Sequence, residues 1–171
     1  MSQWGTMGPG NGQFNTPIGV VIDVSNNVYI TDVGNNRVQK FDQNGQYLMQ
    51  WGVAGNGNGQ FTSPSGIAVD PAGNVYVVDS GNARVQKFNS MGVYLTQWGA
   101  AGNGNGQFAL PTGIAVASDS TVYVADTFNH RIQVFDQNGN YLRQWGTMGT
   151  GNSQYDQPIG ITLSPDGSRV Y

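Results

Sequence analysis

One period organises the whole chain. Trp4, Trp51, Trp98 and Trp145 stand 47 residues apart. Phe14, Phe61, Phe108 and Tyr155 keep the same step, as do Pro17, Pro64, Pro111 and Pro158, and Gly19, Gly66, Gly113 and Gly160. Asp32, Asp79 and Asp126 recur in phase, followed each time by Arg37, Arg84 or Arg131. The chain is one array over 1–171, with whole repeats at 4–50, 51–97 and 98–144 and a partial fourth at 145–171. Val170-Tyr171 comes into phase with Val28-Tyr29 and Val75-Tyr76 after a one-residue insertion near Ser164-Pro165-Asp166-Gly167. A repeat of this length is one supersecondary unit. It cannot bury its apolar faces alone, so neighbouring copies must stack.

Each repeat reads as four short strands. In the second they are Gly66–Asp70, Val75–Asp79, Arg84–Phe88 and Val93–Trp98. Pro71-Ala72-Gly73-Asn74, Ser80-Gly81-Asn82-Ala83 and Asn89-Ser90-Met91-Gly92 turn the chain between them. In the first and third repeats the last turn is Asp42-Gln43-Asn44-Gly45 and Asp136-Gln137-Asn138-Gly139, and Asn-Gly is a strong hairpin signal. The remaining connection, Gly99 to Leu110, must carry the chain from the outer strand of one unit to the inner strand of the next. Repeated units of four antiparallel strands define an all-β fold of β-propeller blades.

Composition agrees with this reading. The chain has 26 Gly, no Cys and no Glu, and only 10% of its residues are charged, against roughly 25% in ordinary domains. Gly, Asn and Asp suit many tight turns, and long helices would want more Glu and Lys. The seven Lys and Arg and the net charge of −3 make nucleic acid a poor partner. No apolar run approaches the roughly 20 residues of a membrane span. Met1-Ser2-Gln3-Trp4 has neither a basic nor an apolar leader region, so no signal peptide is expected within this chain.

The run Gly57-Asn58-Gly59-Gln60-Phe61, then Pro64-Ser65-Gly66-Ile67-Ala68-Val69-Asp70, Gly73-Asn74-Val75-Tyr76-Val77, Asp79, Asn82 and Arg84-Val85-Gln86-Lys87-Phe88 resembles the NHL repeat. Pro17-Ile18-Gly19-Val20-Val21 and Pro111-Thr112-Gly113-Ile114-Ala115-Val116 read alike. The resemblance implies a propeller, usually of six blades. It also implies a range of functions: binding scaffolds, lyases or lactonases (some with a metal held by several His), and RNA binding in some animal members.

The candidate residues divide into framework and surface. Asp32–Arg37, Asp79–Arg84 and Asp126–Arg131 are brought together by a hairpin and read as structural turn braces rather than a ring of cation ligands. Trp51, Phe61, Trp98, Phe108, Trp145 and Tyr155 read as packing between blades rather than stacking platforms. Asp42-Gln43-Asn44-Gly45 opens like a calcium loop, but the bidentate Glu of that loop is impossible in a chain without Glu. Gly55–Gly59 and Gly102–Gly106 lack the Lys of a phosphate cradle and read as flexible connections. His130 is the single His, too few for a protein-built zinc site, and no Gly-x-Ser-x-Gly elbow occurs. Thr127-Phe128-Asn129-His130 departs from its counterparts Val33-Gly34-Asn35-Asn36 and Ser80-Gly81-Asn82-Ala83, which makes Phe128 and His130 the candidate contact surface.

The expected function is therefore a non-enzymatic scaffold or binding module, without cofactor or metal, engaging protein or glycan through a loop face. A lyase or lactonase fragment is the alternative, and RNA binding stands behind it. Three and a half repeats do not make six blades. The ends of one chain could pair as a makeshift fourth blade, several chains could close a ring, or the chain could be part of a longer or engineered array. Self-association or a missing remainder is the expected completion.

Overall fold

The computed structural model describes residues 3–164, 167 and 169–171. Of the predicted insertion, Pro165 and Asp166 lie outside the described residues. A short parallel pair, β1 (Thr6–Met7) and β2 (Gln13–Phe14), precedes three four-stranded sheets. Blade 1 is β3 (Pro17–Ile22), β4 (Val28–Asp32), β5 (Arg37–Phe41) and β6 (Tyr47–Trp51). Blade 2 is β7 (Pro64–Val69), β8 (Val75–Asp79), β9 (Arg84–Phe88) and β10 (Tyr94–Trp98). Blade 3 is β11 (Ile114–Val116), β12 (Val122–Asp126), β13 (Arg131–Phe135) and β14 (Tyr141–Trp145). A second parallel pair, β15 (Thr147–Met148) and β16 (Gln154–Tyr155), leads to residues 159–171. Within each blade the strands are neighbours in chain order and antiparallel, as the turn signals require.

The core lies between blades. Tyr29 and Val38 of blade 1 pack with Phe61, Ile67, Val75, Val77 and Phe88 from blade 2 and its approach, with Trp51 against them. Tyr76, Val78, Val85 and Trp98 of blade 2 meet Phe108, Ile114, Val122, Val124 and Phe135 in the same way. Each blade therefore has a leading face, turned to the previous blade, and a trailing face, turned to the next. The in-phase glycine of the inner strand has a direct cause. A methyl group on Gly19, Gly66 or Gly113 would lie 2.5, 2.4 or 2.4 Å from the carbonyl oxygen of Ser65, Thr112 or Ile159 on the next blade. Only a residue without Cβ allows that approach. At Gly160 the same methyl would meet no atom within 4 Å.

The ends do not form a shared blade. Thr162 and Tyr171 exchange backbone hydrogen bonds of 2.9 Å in both directions, and Leu163 bridges Val170, so residues 162–163 pair with 170–171 of the same segment. Among the described residues no ladder joins them to the N-terminal segment, so the makeshift fourth blade does not form. Instead Ile161, Leu163 and Val170 cover part of the trailing face of blade 3, beside Tyr123, Ile132 and Val134.

Candidate functional site

The predicted braces exist in all three blades and are larger than a pair. Asp79 ends β8 fully buried, and Arg84 begins β9 with its Nε donating to Asp79 Oδ2 at 2.7 Å. Arg84 Nη1 donates to Asn56 O and to Gln97 Oε1, and Nη2 donates to Gly57 O and Gln60 O, at 2.6–2.9 Å. Five donations use all five N–H groups of a guanidinium. Asp79 accepts in turn from Thr62 N, Asn82 Nδ2 and Gln86 Nε2. Gln86, also fully buried, accepts from Gly59 N and donates to Gln60 O. Burying this ion pair without such bonds would cost several kcal/mol, and each bond offsets part of that cost.

Arg37 repeats the arrangement with Asp32, Pro9 O, Gln50, Gly10 O and Gln13 O. Arg131 repeats it with Asp126, Gln144, Gly104 O and Gln107 O. The Gly- and Asn-rich connections are therefore clamped, and the expected flexibility is corrected. Their carbonyls wrap a guanidinium, and parallel bridges such as Ala54 to Phe61 and Ala101 to Phe108 close them further. Gln39, Gln86 and Gln133, Asn35, Asn82 and Asn129, and Gln50, Gln97 and Gln144 complete the clamps. All nine recur at the 47-residue period, a signal the sequence reading passed over.

Trp51, Phe61, Trp98 and Phe108 lie between blades, whereas Trp145 and Tyr155 pack beside Ile161, Leu163 and Val170. Phe88 lies with its ring centre 5.7 Å from both Trp51 and Phe61, and Phe135 lies 5.9 Å from Trp98 and 5.6 Å from Phe108. Trp145 and Tyr155 are linked by Nε1–H donating to the phenol oxygen at 3.0 Å. Asp42 and Asp136 brace their own hairpins, each accepting two backbone N–H bonds through Oδ1. Asn89 does the same in blade 2.

Phe128 and His130 part company. His130 follows a short 3-10 turn in a left-handed conformation, φ 54°, and its Nδ1 accepts from Gln157 N at 3.3 Å. Asn36 at the equivalent position accepts from Ser63 N at 3.0 Å. His130 is thus a cap between blade 3 and the following segment, with Asp156 Oδ1 at 3.8 Å. Phe128 is 54% exposed on the same rim as the clamped connections. Its counterparts are Gly34 and Gly81, where an added methyl would fall 2.5 Å from Asn15 and 2.6 Å from Thr62. In blade 3 that neighbour is Ala109, whose carbonyl accepts from Phe128 N at 3.1 Å. The next residue, Leu110, is 44% exposed where Thr16 and Ser63 stand in the other blades. Three positions change together, and a polar rim becomes apolar at one blade.

The inner strands of the three blades and residues 161–163 border a groove of about 330 Å³, walled by Val20, Val21, Ile67, Ile114 and Ile161 among others. Among the described residues no group of three His, Cys, Asp or Glu is placed to hold a metal ion.

Consecutive four-stranded blades stacked face to face around an inner groove are the architecture of a β-propeller. The NHL repeat model matches residues 14–41, 61–88 and 108–135, so the chain carries three NHL repeats. Among solved structures it is similar to hydrazine synthase of Kuenenia stuttgartiensis, with TM-score 0.69 and 18% identity over 96% of this chain and 44% of that one. It is similar to a streptogramin B lyase, with TM-score 0.68 and 19% identity over 88% of this chain and 46% of that one. A chain of a nidogen–laminin complex gives TM-score 0.65 and 20% identity over 90% and 55%. At these identities the likeness is one of fold. The chain spans about half the length of the solved structures it matches. Among curated proteins no match is found.

Proposed function

We propose that this chain is the blade array of a non-enzymatic binding module, which engages a protein or glycan partner through the loop face at blade 3 and completes its ring by association. The concerted change at Ala109, Leu110 and Phe128 carries this reading. An exposed aromatic on a clamped loop offers a large contact area at low entropic cost, as protein and sugar surfaces both require.

The fate of the charges supports it. Arg37, Arg84 and Arg131 are enclosed in clamps. Lys40 and Lys87 donate to carbonyls of the next blade, Ser90 O and Gln137 O, both at 3.1 Å. Of the seven Lys and Arg, only Arg143 and Arg169 then remain at the exterior, an unfavourable surface for a phosphate backbone. The Asp side chains of the clamps are likewise engaged in framework bonds.

The test restores the residues of the other blades with the double substitution Phe128→Gly and Leu110→Ser. Immobilised neutral oligosaccharides and peptides selected from a random library serve as probes. Binding by the parent chain that drops at least tenfold in the variant is the expected result. Equal binding by both would remove the loop face of blade 3 from the account.

A further inference from the structure

We propose that Asn103 is a modification site, the place where the folded chain first undergoes spontaneous deamidation, while the fold holds its six other Asn–Gly pairs unmodified. This stands apart from the proposed contact at Phe128.

Asn–Gly is the dipeptide most open to this reaction, because glycine has no Cβ to shield its nitrogen. The glycine main-chain nitrogen attacks Cγ of the preceding asparagine. A C–N bond forms, the Cγ–Nδ2 bond breaks, and ammonia leaves with the proton that the glycine nitrogen gives up. Water then opens the cyclic imide at either carbonyl and leaves aspartate or isoaspartate. The attacking nitrogen must first leave its hydrogen-bond acceptor, and the peptide group that carries it must turn towards the asparagine side chain.

The chain has seven such pairs, and every one of the seven glycine nitrogens donates a hydrogen bond. They are not held alike. In Asn11-Gly12, Asn58-Gly59 and Asn105-Gly106 the glycine donates at 2.9 Å to Gln39, Gln86 or Gln133, fully buried in the clamps. In Asn44-Gly45 and Asn138-Gly139 it donates to the carbonyl that closes the hairpin, Asp42 O or Asp136 O. These two glycines also lie against an indole, since a methyl on either would stand 2.5 Å from the ring of Trp4 or Trp98. A clamp or close packing therefore fixes five of the pairs.

Asn56-Gly57 and Asn103-Gly104 remain. Both asparagines are exposed, and each glycine donates at 2.9 Å to a glutamine across a solvent-exposed bond, to Gln60 Oε1 and Gln107 Oε1. One further bond separates the two. Arg84 Nη1 donates to Asn56 O at 2.8 Å, so the peptide group between Asn56 and Gly57 is pinned at its oxygen as well as its nitrogen. Arg131 Nη1 donates instead to Gln144 alone, and among the described residues no hydrogen bond reaches Asn103 O. The peptide group between Asn103 and Gly104 is held at its nitrogen only and is the freest of the seven to turn.

The reaction there has a structural consequence. Arg131 Nη2 holds Gly104 O at 2.8 Å, and isoaspartate lengthens the main chain by one carbon immediately before that glycine. Modification at Asn103 therefore loosens the connection into blade 3 and leaves the others closed.

Peptide mapping by mass spectrometry tests this on the 171-residue chain kept folded in warm, mildly alkaline buffer, with a urea-unfolded sample alongside. In the folded chain Asn103 should react at least tenfold faster than Asn56 and than each of the other five. In urea the seven should react within a few-fold of one another. Gln60→Met removes the acceptor of Gly57 N from a solvent-exposed bond. It should raise the rate at Asn56 severalfold and leave that at Asn103 unchanged, so each molecule carries its own control. Equal rates at Asn56 and Asn103 in the folded chain, another asparagine reacting first, the same ranking in urea, or a rate at Asn56 unmoved by Gln60→Met would overturn the proposal.

Discussion

Trp145 Nε1 donates to Tyr155 Oη at 3.0 Å, while Trp51 Nε1 and Trp98 Nε1, followed by Phe61 and Phe108 at the tyrosine's position, are buried without an acceptor. One hydroxyl distinguishes an interface that satisfies its indole from two that do not. Tyr155→Phe should lower stability by about 1 kcal/mol, the usual net value of such a bond. The urea midpoint reads this directly, and the slope should be unchanged.

Arg84→Ala leaves Asp79 buried without its cation and should cost about 3–5 kcal/mol. Arg84→Lys keeps the charge but not the planar fork that reaches Asn56 O, Gly57 O, Gln60 O and Gln97 together. It should cost about 2 kcal/mol or more in the same unfolding experiment. A neutral effect of the lysine would mean that charge alone holds the connection.

Gly66→Ala and Gly160→Ala form a matched pair at one repeat position. The methyl at 66 would stand 2.4 Å from Thr112 O, and overpacking of this kind costs about 1–3 kcal/mol. The methyl at 160 meets nothing within 4 Å, so that variant should melt with the parent chain.

Acid should weaken the fold through its turns. Hydrogen bonds, first from the Asn140 side chain, hold the Asp136 carboxyl below the usual carboxylate range. At Asp23 burial opposes ionisation, but bonds from Asn27, Tyr29 and Ser25 outweigh it and hold that carboxyl low as well. A folded-state pKa below the unfolded one gives stability that is present at neutral pH and lost as pH falls below about 3.8. Asn89 makes the same turn without a charge. Asp136→Asn should therefore unfold near neutral pH like the parent chain and lose less stability between pH 7 and pH 3. Urea midpoints at the two pH values measure the difference.

The blades were legible because a period of 47 repeats large apolar, glycine and turn residues in fixed phase, and such a pattern has few physical solutions. The Asp–Arg braces were legible because a hairpin places residues five apart on facing strands. The rest of each clamp was not. Arg84 reaches Gly57 O across 27 residues and Gln60 O across 24, and main-chain acceptors carry no sequence signal. Glycine and asparagine suggested slack where the carbonyls in fact converge on a buried cation. His130 read as a contact residue because its turn departs from the repeat pattern. Its role as a cap emerges only beside Asn36, which makes the same bond with a different side chain. The significance of Phe128 depends on Ala109, nineteen residues earlier, and only the fold brings the two together.

Amide hydrogen exchange at the inter-blade connections tests the central claim most directly, namely that the periodic charges serve the framework by holding those connections rigid. Gly12, Gly59 and Gly106 donate to Gln39, Gln86 and Gln133, and Asn15, Thr62 and Ala109 donate to Asp32, Asp79 and Asp126. These six amides should exchange at least a hundredfold more slowly than in an unstructured peptide, and Arg84→Lys should release Gly59 and Thr62 first. Exchange at the rate of a free loop in the parent chain would contradict the account.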